Sequence, residues 1–190
     1  MTTSPAAELV LQSDSPEATL AIGRALGRAA EPGLVVALIG PLGAGKTQLV
    51  RGVAEGLEVL DSRVVSSPTF VLIQEYAGRL PIYHFDTYRL ARPEQFSDLG
   101  PEEYFEGDGI CLIEWADRVL DYLPSDRLEI QLIMRSESSR DLVLSAPSGT
   151  RSFRVLEKLR SADFWRMIRA RRQEKAIPWD EAKKGLQLDQ

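Results

Sequence analysis

The chain has one cysteine, one histidine and no asparagine among its 190 residues. A single thiol, Cys111, excludes an intramolecular disulfide and any cysteine-cluster metal centre. It lies in the apolar run Ile110-Cys111-Leu112-Ile113, which makes it a small core residue. No apolar run approaches the length that crosses a bilayer. The segment Met1 to Leu9 has neither the basic region nor the apolar stretch of a signal peptide, so a cytoplasmic protein without membrane contact is expected. With no Asn and no Lys-x-Asp anywhere, the chain lacks the N/T-K-x-D element that reads guanine. Positive charge is also scarce where most of the chain lies. Residues 1–150 carry 12 Lys/Arg against 22 Asp/Glu, whereas residues 151–190 carry 11 against 6, within an overall charge of −5. An acidic body makes a poor general binder of nucleic acid, because phosphate contacts need local positive charge.

What is present is a phosphate-binding loop. Gly40-Pro41-Leu42-Gly43-Ala44-Gly45-Lys46-Thr47 fits G-x-x-x-x-G-K-[ST] without a mismatch. The apolar run Leu34 to Ile39 before it has the pattern of a buried parallel strand. After it, Leu49, Val50, Val53 and Leu57 recur at helical spacing, and Gly56 is expected to help end that helix. Strand, glycine loop and helix are the setting the motif needs. Its backbone N–H groups close around phosphate oxygens, and the helix N-terminus adds partial positive charge. Lys46 is expected to reach the outer phosphates and Thr47 to hold Mg²⁺ through its hydroxyl. The expected ligand is a nucleoside triphosphate.

The remaining elements alternate. Glu8 to Gln12 reads as a strand, and Ser15 caps a helix with Pro16 at its first position and Ala18, Ile22, Ala25, Leu26 and Ala29 on its apolar face. Phe70 to Tyr76 and Pro81 to Asp86 read as a hairpin around Ala77-Gly78-Arg79. A helical stretch begins near Pro93, Ile110 to Glu114 is a strand, and Ala116 to Leu123 is a helix stopped by Pro124. Leu128, Ile130, Leu132 and Met134 alternate as a strand joined through Ser136–Ser139 to a second one over Asp141–Leu144, and residues from Ser152 to about Ala176 are helical. The expected fold is α/β: a three-layer, P-loop NTPase-like domain with a mixed central sheet. It spans residues 1–160, followed by a basic helical extension over residues 161–190.

Two strands end in acids. Ile110 to Glu114 and Pro81 to Asp86 each place a carboxylate at the C-terminal edge of the sheet, where open α/β folds bind ligands. Beside a phosphate loop, Glu114 and Asp86 are candidates to hold Mg²⁺ or to orient the attacking water. In Ser67-Pro68-Thr69, which follows the loop's helix, the Thr69 hydroxyl is placed for Mg²⁺ or the outermost phosphate. His84 reads as structural, because phosphoryl transfer asks little acid–base chemistry of a protein. Trp115 reads as a core residue.

Together these residues resemble the bacterial TsaE family, the ATPase of tRNA threonylcarbamoyladenosine biosynthesis. The resemblance rests on Gly40 to Thr47, Ser67-Pro68-Thr69-Phe70, His84-Phe85-Asp86-Thr87-Tyr88-Arg89-Leu90, Asp98-Leu99-Gly100, Glu103-Tyr104-Phe105 and Ile110 to Trp115, over roughly residues 9 to 160. It implies a small P-loop domain that hydrolyses ATP with Mg²⁺ in support of a TsaB–TsaD assembly. That assembly modifies the adenosine beside the anticodon of ANN-decoding tRNAs, with the transfer itself belonging to TsaD. The resemblance also implies that the segment around Asp14 to Thr19 borders the adenine and that Arg140 approaches the nucleotide. The chain departs from the family pattern with Pro41 in place of an acid, Thr87 in place of Leu and Ala116 in place of Pro; none is an expected metal ligand. Two other classes fit the residues less well. A small-molecule kinase needs an acceptor pocket and lid arginines, for which Arg89 to Arg92 is short. A nucleotide-gated interaction module overlaps with the family role. In the tail, Phe164, Trp165 and Ile168 form an apolar face, while Arg166, Arg169, Arg171, Arg172 and Lys175 make the rest basic. The pattern reads first as a C-terminal helix packed by its aromatic residues with a solvated charged side, and second as a basic surface for tRNA or an acidic partner.

Overall fold

A computed structural model of the chain describes residues 6–69 and 71–166. By its internal contacts the chain divides into two units, Met1–Arg160 and Ser161–Gln190. The first unit contains strands β1 (Ala6–Ser13), β2 (Val35–Ile39), β3 (Ile73–Tyr76), β4 (Ile82–Asp86), β5 (Ile110–Glu114), β6 (Leu128–Met134) and β7 (Arg140–Pro147). Its α-helices are α1 (Pro16–Ala29), α2 (Lys46–Gly56), α3 (Pro101–Phe105) and α4 (Arg151–Arg160). The strands form one sheet in the order β1-β7-β6-β2-β5-β4-β3. The pairs β6–β2, β2–β5 and β5–β4 are parallel, and the outer pairs β1–β7, β7–β6 and β4–β3 are antiparallel. The mixed α/β sheet expected from the sequence is the observed one.

Strand alternation sorts the side chains into layers. Val35, Ala37, Phe85, Cys111 and Ile113 face one side, where they meet Leu90, Phe96, Ala116, Val119 and Leu123. Phe85 and Phe96 are wholly buried there and meet edge to face with ring centroids 5.7 Å apart. Burying each such side chain is worth about 1.5–3 kcal/mol. The alternate residues, with Glu114 and His84 among them, face the side covered by α1, α2 and α4. Burial pushes the Cys111 thiol up to about 12, as suits a core residue.

α1 begins as expected: the Ser15 side chain accepts from Ala18 N, with Pro16 at the first position. Its contact with α2 was not anticipated. Gly23 and Gly27 of α1 face Gly52 and Gly56 of α2, and a Cβ on Gly27 would lie 2.3 Å from the Val53 carbonyl oxygen. Gly56 is the last residue of α2, as expected, and has a second role there. It lets the two backbones touch, and a Cβ there would lie 2.3 Å from the Arg24 carbonyl oxygen.

Three other boundaries differ from expectation. The segment Ala116 to Leu123 is two short 3-10 turns, Ala116–Arg118 and Leu120–Tyr122, rather than one helix. Trp115 before them is left-handed (φ 59°), and Val119 between them leaves the helical region to bury its side chain beside Leu123. β3 begins at Ile73 instead of residue 70. The Pro68 carbonyl accepts from both Val71 and Leu72, and Leu72 takes a left-handed φ of 65°, so a turn occupies the start of the expected strand. Phe70 lies outside the described residues. α4 stops at Arg160, although one continuous helix was expected from Ser152; residues 162–166 are again helical, with the Ser161 hydroxyl accepting from Phe164 N. Ile168, Arg169, Arg171, Arg172 and Lys175 lie outside the described residues.

Candidate functional site

The loop after β2 emerges between the ends of β5 and β6, the edge where open α/β sheets bind ligands. Its glycines have positive φ: 153° at Gly40, 80° at Gly43 and 100° at Gly45. Gly43 has nothing within 4 Å of where a Cβ would stand, so the loop's inner side is open, and Gly45 serves as the left-handed N-cap of α2. The loop and its surroundings enclose a cavity of about 380 Å³. Leu42, Gly43, Lys46 and Thr47 line one side; Ser67, Thr69, Asp86, Tyr88, Glu114 and Trp115 line the other.

Lys46 is buried (4% exposed) and donates to the carbonyls of Gly40 (2.7 Å) and Pro41 (3.0 Å). Burial lowers the pKa of its ammonium, while Glu114, Asp117 and Asp86 pull the other way. The ammonium also stands 3.6 Å from the centre of the Trp115 ring, a cation–π contact. Trp115, expected in the core, is a half-buried wall of the cavity. Its left-handed backbone turns the ring toward the loop, and Tyr88 lies against it with centroids 4.8 Å apart.

The two strand-end acids stand side by side, because Asp86 and Glu114 are register partners of β4 and β5. Glu114 is 3% exposed and takes the Thr47 hydroxyl on Oε1 (2.8 Å) and Oε2 (3.1 Å). His84 Nε2 is 2.9 Å from the same Oε1. Asp86, 2% exposed, has partners of its own: its Oδ2 accepts from Ser67 and from Thr69 (2.9 Å), and its Oδ1 accepts from Tyr88 N (2.9 Å). The Thr87 hydroxyl donates to the carbonyls of Glu114 (3.1 Å) and Trp115 (2.8 Å), which ties the end of β4 to the end of β5.

The geometry thus brings Gly40 to Thr47, Thr69, Asp86 and Glu114 to one cavity. Thr19 and Arg140 lie beside it rather than in it. Thr19 is wholly buried; its hydroxyl lies 2.7 Å from that of Ser13 and accepts from the Arg140 guanidinium (3.0 Å). A Cβ on Gly45 would lie 3.5 Å from that guanidinium, so Arg140 reaches the back of the phosphate loop. Sequence reasoning passed over Tyr88 and the His84–Glu114 contact, and for Trp115 it ranked a core position above a place near the nucleotide. An aromatic residue shortly after each of the two strand-end acids, Tyr88 after Asp86 and Trp115 after Glu114, was the available signal.

The donor set fits Mg²⁺. Mg²⁺ takes octahedral oxygen ligands at about 2.0–2.1 Å, so adjacent ligand oxygens stand about 2.9 Å apart. The Thr47 hydroxyl and Glu114 Oε1 are 2.8 Å apart. Among the described residues no three His, Cys, Asp or Glu side chains gather to hold a metal. A Mg²⁺ here would therefore take few protein ligands, as it does when it keeps waters and substrate phosphates.

Sheet, loop and acids define a P-loop NTPase-like α/β protein. The family model described as "Threonylcarbamoyl adenosine biosynthesis protein TsaE" matches residues 13–142. The chain is 41% identical to the tRNA threonylcarbamoyladenosine biosynthesis protein TsaE of Bacillus subtilis over 157 residues, which cover 82% of this chain and 96% of that one. With the protein of the same name from Treponema pallidum it shares 42% identity over 133 residues, covering 70% and 97%. The crystal structure of Bacillus subtilis YdiB superposes with a TM-score of 0.71 at 38% identity, covering 84% of this chain and 98% of that one. The chain belongs to the TsaE family. Among the described residues no helix is long and apolar enough to cross a membrane.

Proposed function

We propose that the protein is a Mg²⁺-dependent ATPase that supports a TsaB–TsaD assembly in the threonylcarbamoyl modification of the adenosine next to the anticodon of ANN-decoding tRNAs. Because the assembly it would support acts on tRNA, the proposed setting is the cytoplasm. The observation that carries the reading is the contact between Thr47, at the start of α2, and Glu114, at the end of β5, across the mouth of an open phosphate loop.

In this reading the backbone N–H groups from Gly40 to Gly45 receive the phosphates at the start of α2. Lys46 exchanges its bonds to the Gly40 and Pro41 carbonyls for bonds to the outer phosphate oxygens, which are stronger acceptors. The Thr47 hydroxyl and the Glu114 carboxylate hold Mg²⁺, which when bound neutralises charge that develops on the phosphates. Glu114 and Asp86 flank the cavity where the attacking water must stand. Asp86 also fixes Ser67 and Thr69, so that Thr69 faces the outermost phosphate. Arg140 supports the loop from behind through Gly45 and Thr19.

The Ser67–Asp86–Thr69 cluster favours a second reading as well, a nucleotide-gated module in which hydrolysis switches partner binding. The acidic body leaves contact with tRNA to partner proteins or to the basic segment beyond residue 160. Measuring ADP release by the protein alone, with TsaB and TsaD, and with tRNA added separates these readings. Mg²⁺-dependent release that the partners accelerate supports the ATPase role. Nucleotide binding that governs partner binding without turnover supports the gated module. Absence of both nucleotide binding and ADP release removes the proposal.

A further inference from the structure

Glu114 is held from two sides, and only one holder has a part in the proposed hydrolysis. Thr47 approaches from α2. From β4 comes His84, which reaches diagonally past its register partner Leu112 to place Nε2 2.9 Å from Glu114 Oε1. The imidazole is wholly buried and cannot touch a nucleotide in the cavity, whose lining does not include it. Its Nδ1 is buried and has no hydrogen-bond partner among the described residues. The two facts are connected. An ionised carboxylate only accepts, so in this contact Nε2 is the donor, and in either protonation state of the ring Nδ1 is left without a partner. Buried polar atoms normally find partners. A residue kept here for volume alone would be apolar and would leave no polar atom unpaired. The ring is turned to serve one atom, Glu114 Oε1.

We propose that His84 is a positioning residue: its Nε2–H fixes the rotation of the Glu114 carboxylate so that the other lone pairs point toward Thr47 and the metal side of the cavity. A buried imidazole suits the task because it is rigid beyond two torsions, and it reaches the carboxylate without itself lining the cavity. Partners of this kind behind a metal-holding carboxylate typically change activity by about 10–100-fold when removed. The inference rests on the reading of Glu114 as the acid of an ATPase.

The test uses covalent geometry. The glutamine amide nitrogen is the same number of bonds from the backbone as Nε2, and the asparagine amide nitrogen as many as Nδ1. His84→Ala and His84→Asn should each lower kcat for ADP release by about 10–100-fold while moving the affinity for ATP by less than about threefold. His84→Gln should restore kcat to within about threefold of the parent. Parental kcat in His84→Ala overturns the proposal. So does an equal loss in all three variants, which would mean that the ring acts by packing. A second arm needs no variant: with one histidine in the chain, ¹⁵N spectra of the imidazole report a single ring. Nε2 should carry a proton slow to exchange with solvent; an Nε2 without a proton overturns the proposal. If the parent releases no ADP even with TsaB and TsaD, the ATPase reading fails, and the spectra still decide whether the His84–Glu114 bond exists.

Discussion

The strands β2, β5 and β4 are buried on both faces, with only Ile39 and Tyr83 partly exposed, whereas β6 and β7 bury every second residue. The doubly covered strands read as apolar runs closed by an acid or a glycine loop, and their C-terminal ends supply Lys46, Thr47, Asp86 and Glu114. The singly covered strands read as clean alternation and supply only Arg140, from behind the loop. The candidate site lies where helices or turns cover both faces, because there a carboxylate can be 3% exposed and still line a cavity at the strand end. The half of the sheet with one solvated face supports the loop and orients it.

The strongest way to break this division is at the loop itself. Lys46→Ala removes its only cation and Thr47→Ala the hydroxyl facing Glu114. Each should weaken Mg-ATP binding or hydrolysis by on the order of tenfold to a thousandfold in calorimetry and ADP-release assays. Unchanged values in both would take the phosphate loop out of the function. A second attack is on the helix pair that holds the loop. Gly27→Ala places a Cβ against the Val53 carbonyl of α2. It should cost about 1–3 kcal/mol of stability, a fall in Tm of roughly 3–10 °C. A parental Tm would show that the glycine contact is loose.

Arg140→Ala sharpens the contrast from the singly covered side. Nucleotide affinity should fall by roughly threefold to tenfold, about the worth of one hydrogen bond, with kcat within about twofold of the parent. A kcat loss as large as that at Glu114 would give that half of the sheet a part in the chemistry. The smallest effect is far from the site, at Asp126. Burial raises the pKa of its carboxyl, but bonds from the Ser152 side chain and backbone and from Arg151 N at the start of α4 outweigh burial and lower it overall. A lowered folded-state pKa gives stability that is present above the ordinary carboxylate value and is lost as pH falls through the folded one. Acid denaturation curves should therefore show a shallower loss of stability below about pH 4 in Asp126→Asn than in the parent. Identical acid limbs would make the cap electrostatically inert.

The same division explains what could be read from the chain. A run such as Ile110 to Glu114 states its burial, its parallel pairing and the position of its acid at once. The phosphate loop states its own backbone through Gly40, Gly43 and Gly45. The alternating residues Leu128, Ile130 and Leu132 likewise fixed β6. Harder to read were features set by pairs distant in sequence. Gly23 and Gly27 acquire meaning only when α1 is laid on Gly52 and Gly56 of α2. The turn closed by the Pro68 carbonyl on Val71 and Leu72 takes the place of the first residues of the strand expected from residue 70, and beside it the Asp86 carboxylate, distant in sequence, accepts from Ser67 and Thr69. Trp115 follows an apolar run that suggested a core position, yet one left-handed φ of 59° puts its ring over Lys46.

Glu114 separates binding from chemistry most cleanly, because Glu114→Gln keeps the side chain's size and loses only its charge. Paired measurements on that variant, Mg-ATP affinity by calorimetry and ADP release at saturating nucleotide, should show near-normal folding by circular dichroism and an intact phosphate loop. ATP should still bind, with hydrolysis at least about 100-fold slower than the parent. Hydrolysis at the parental rate would contradict the assignment of the strand-end acid as the centre of the chemistry.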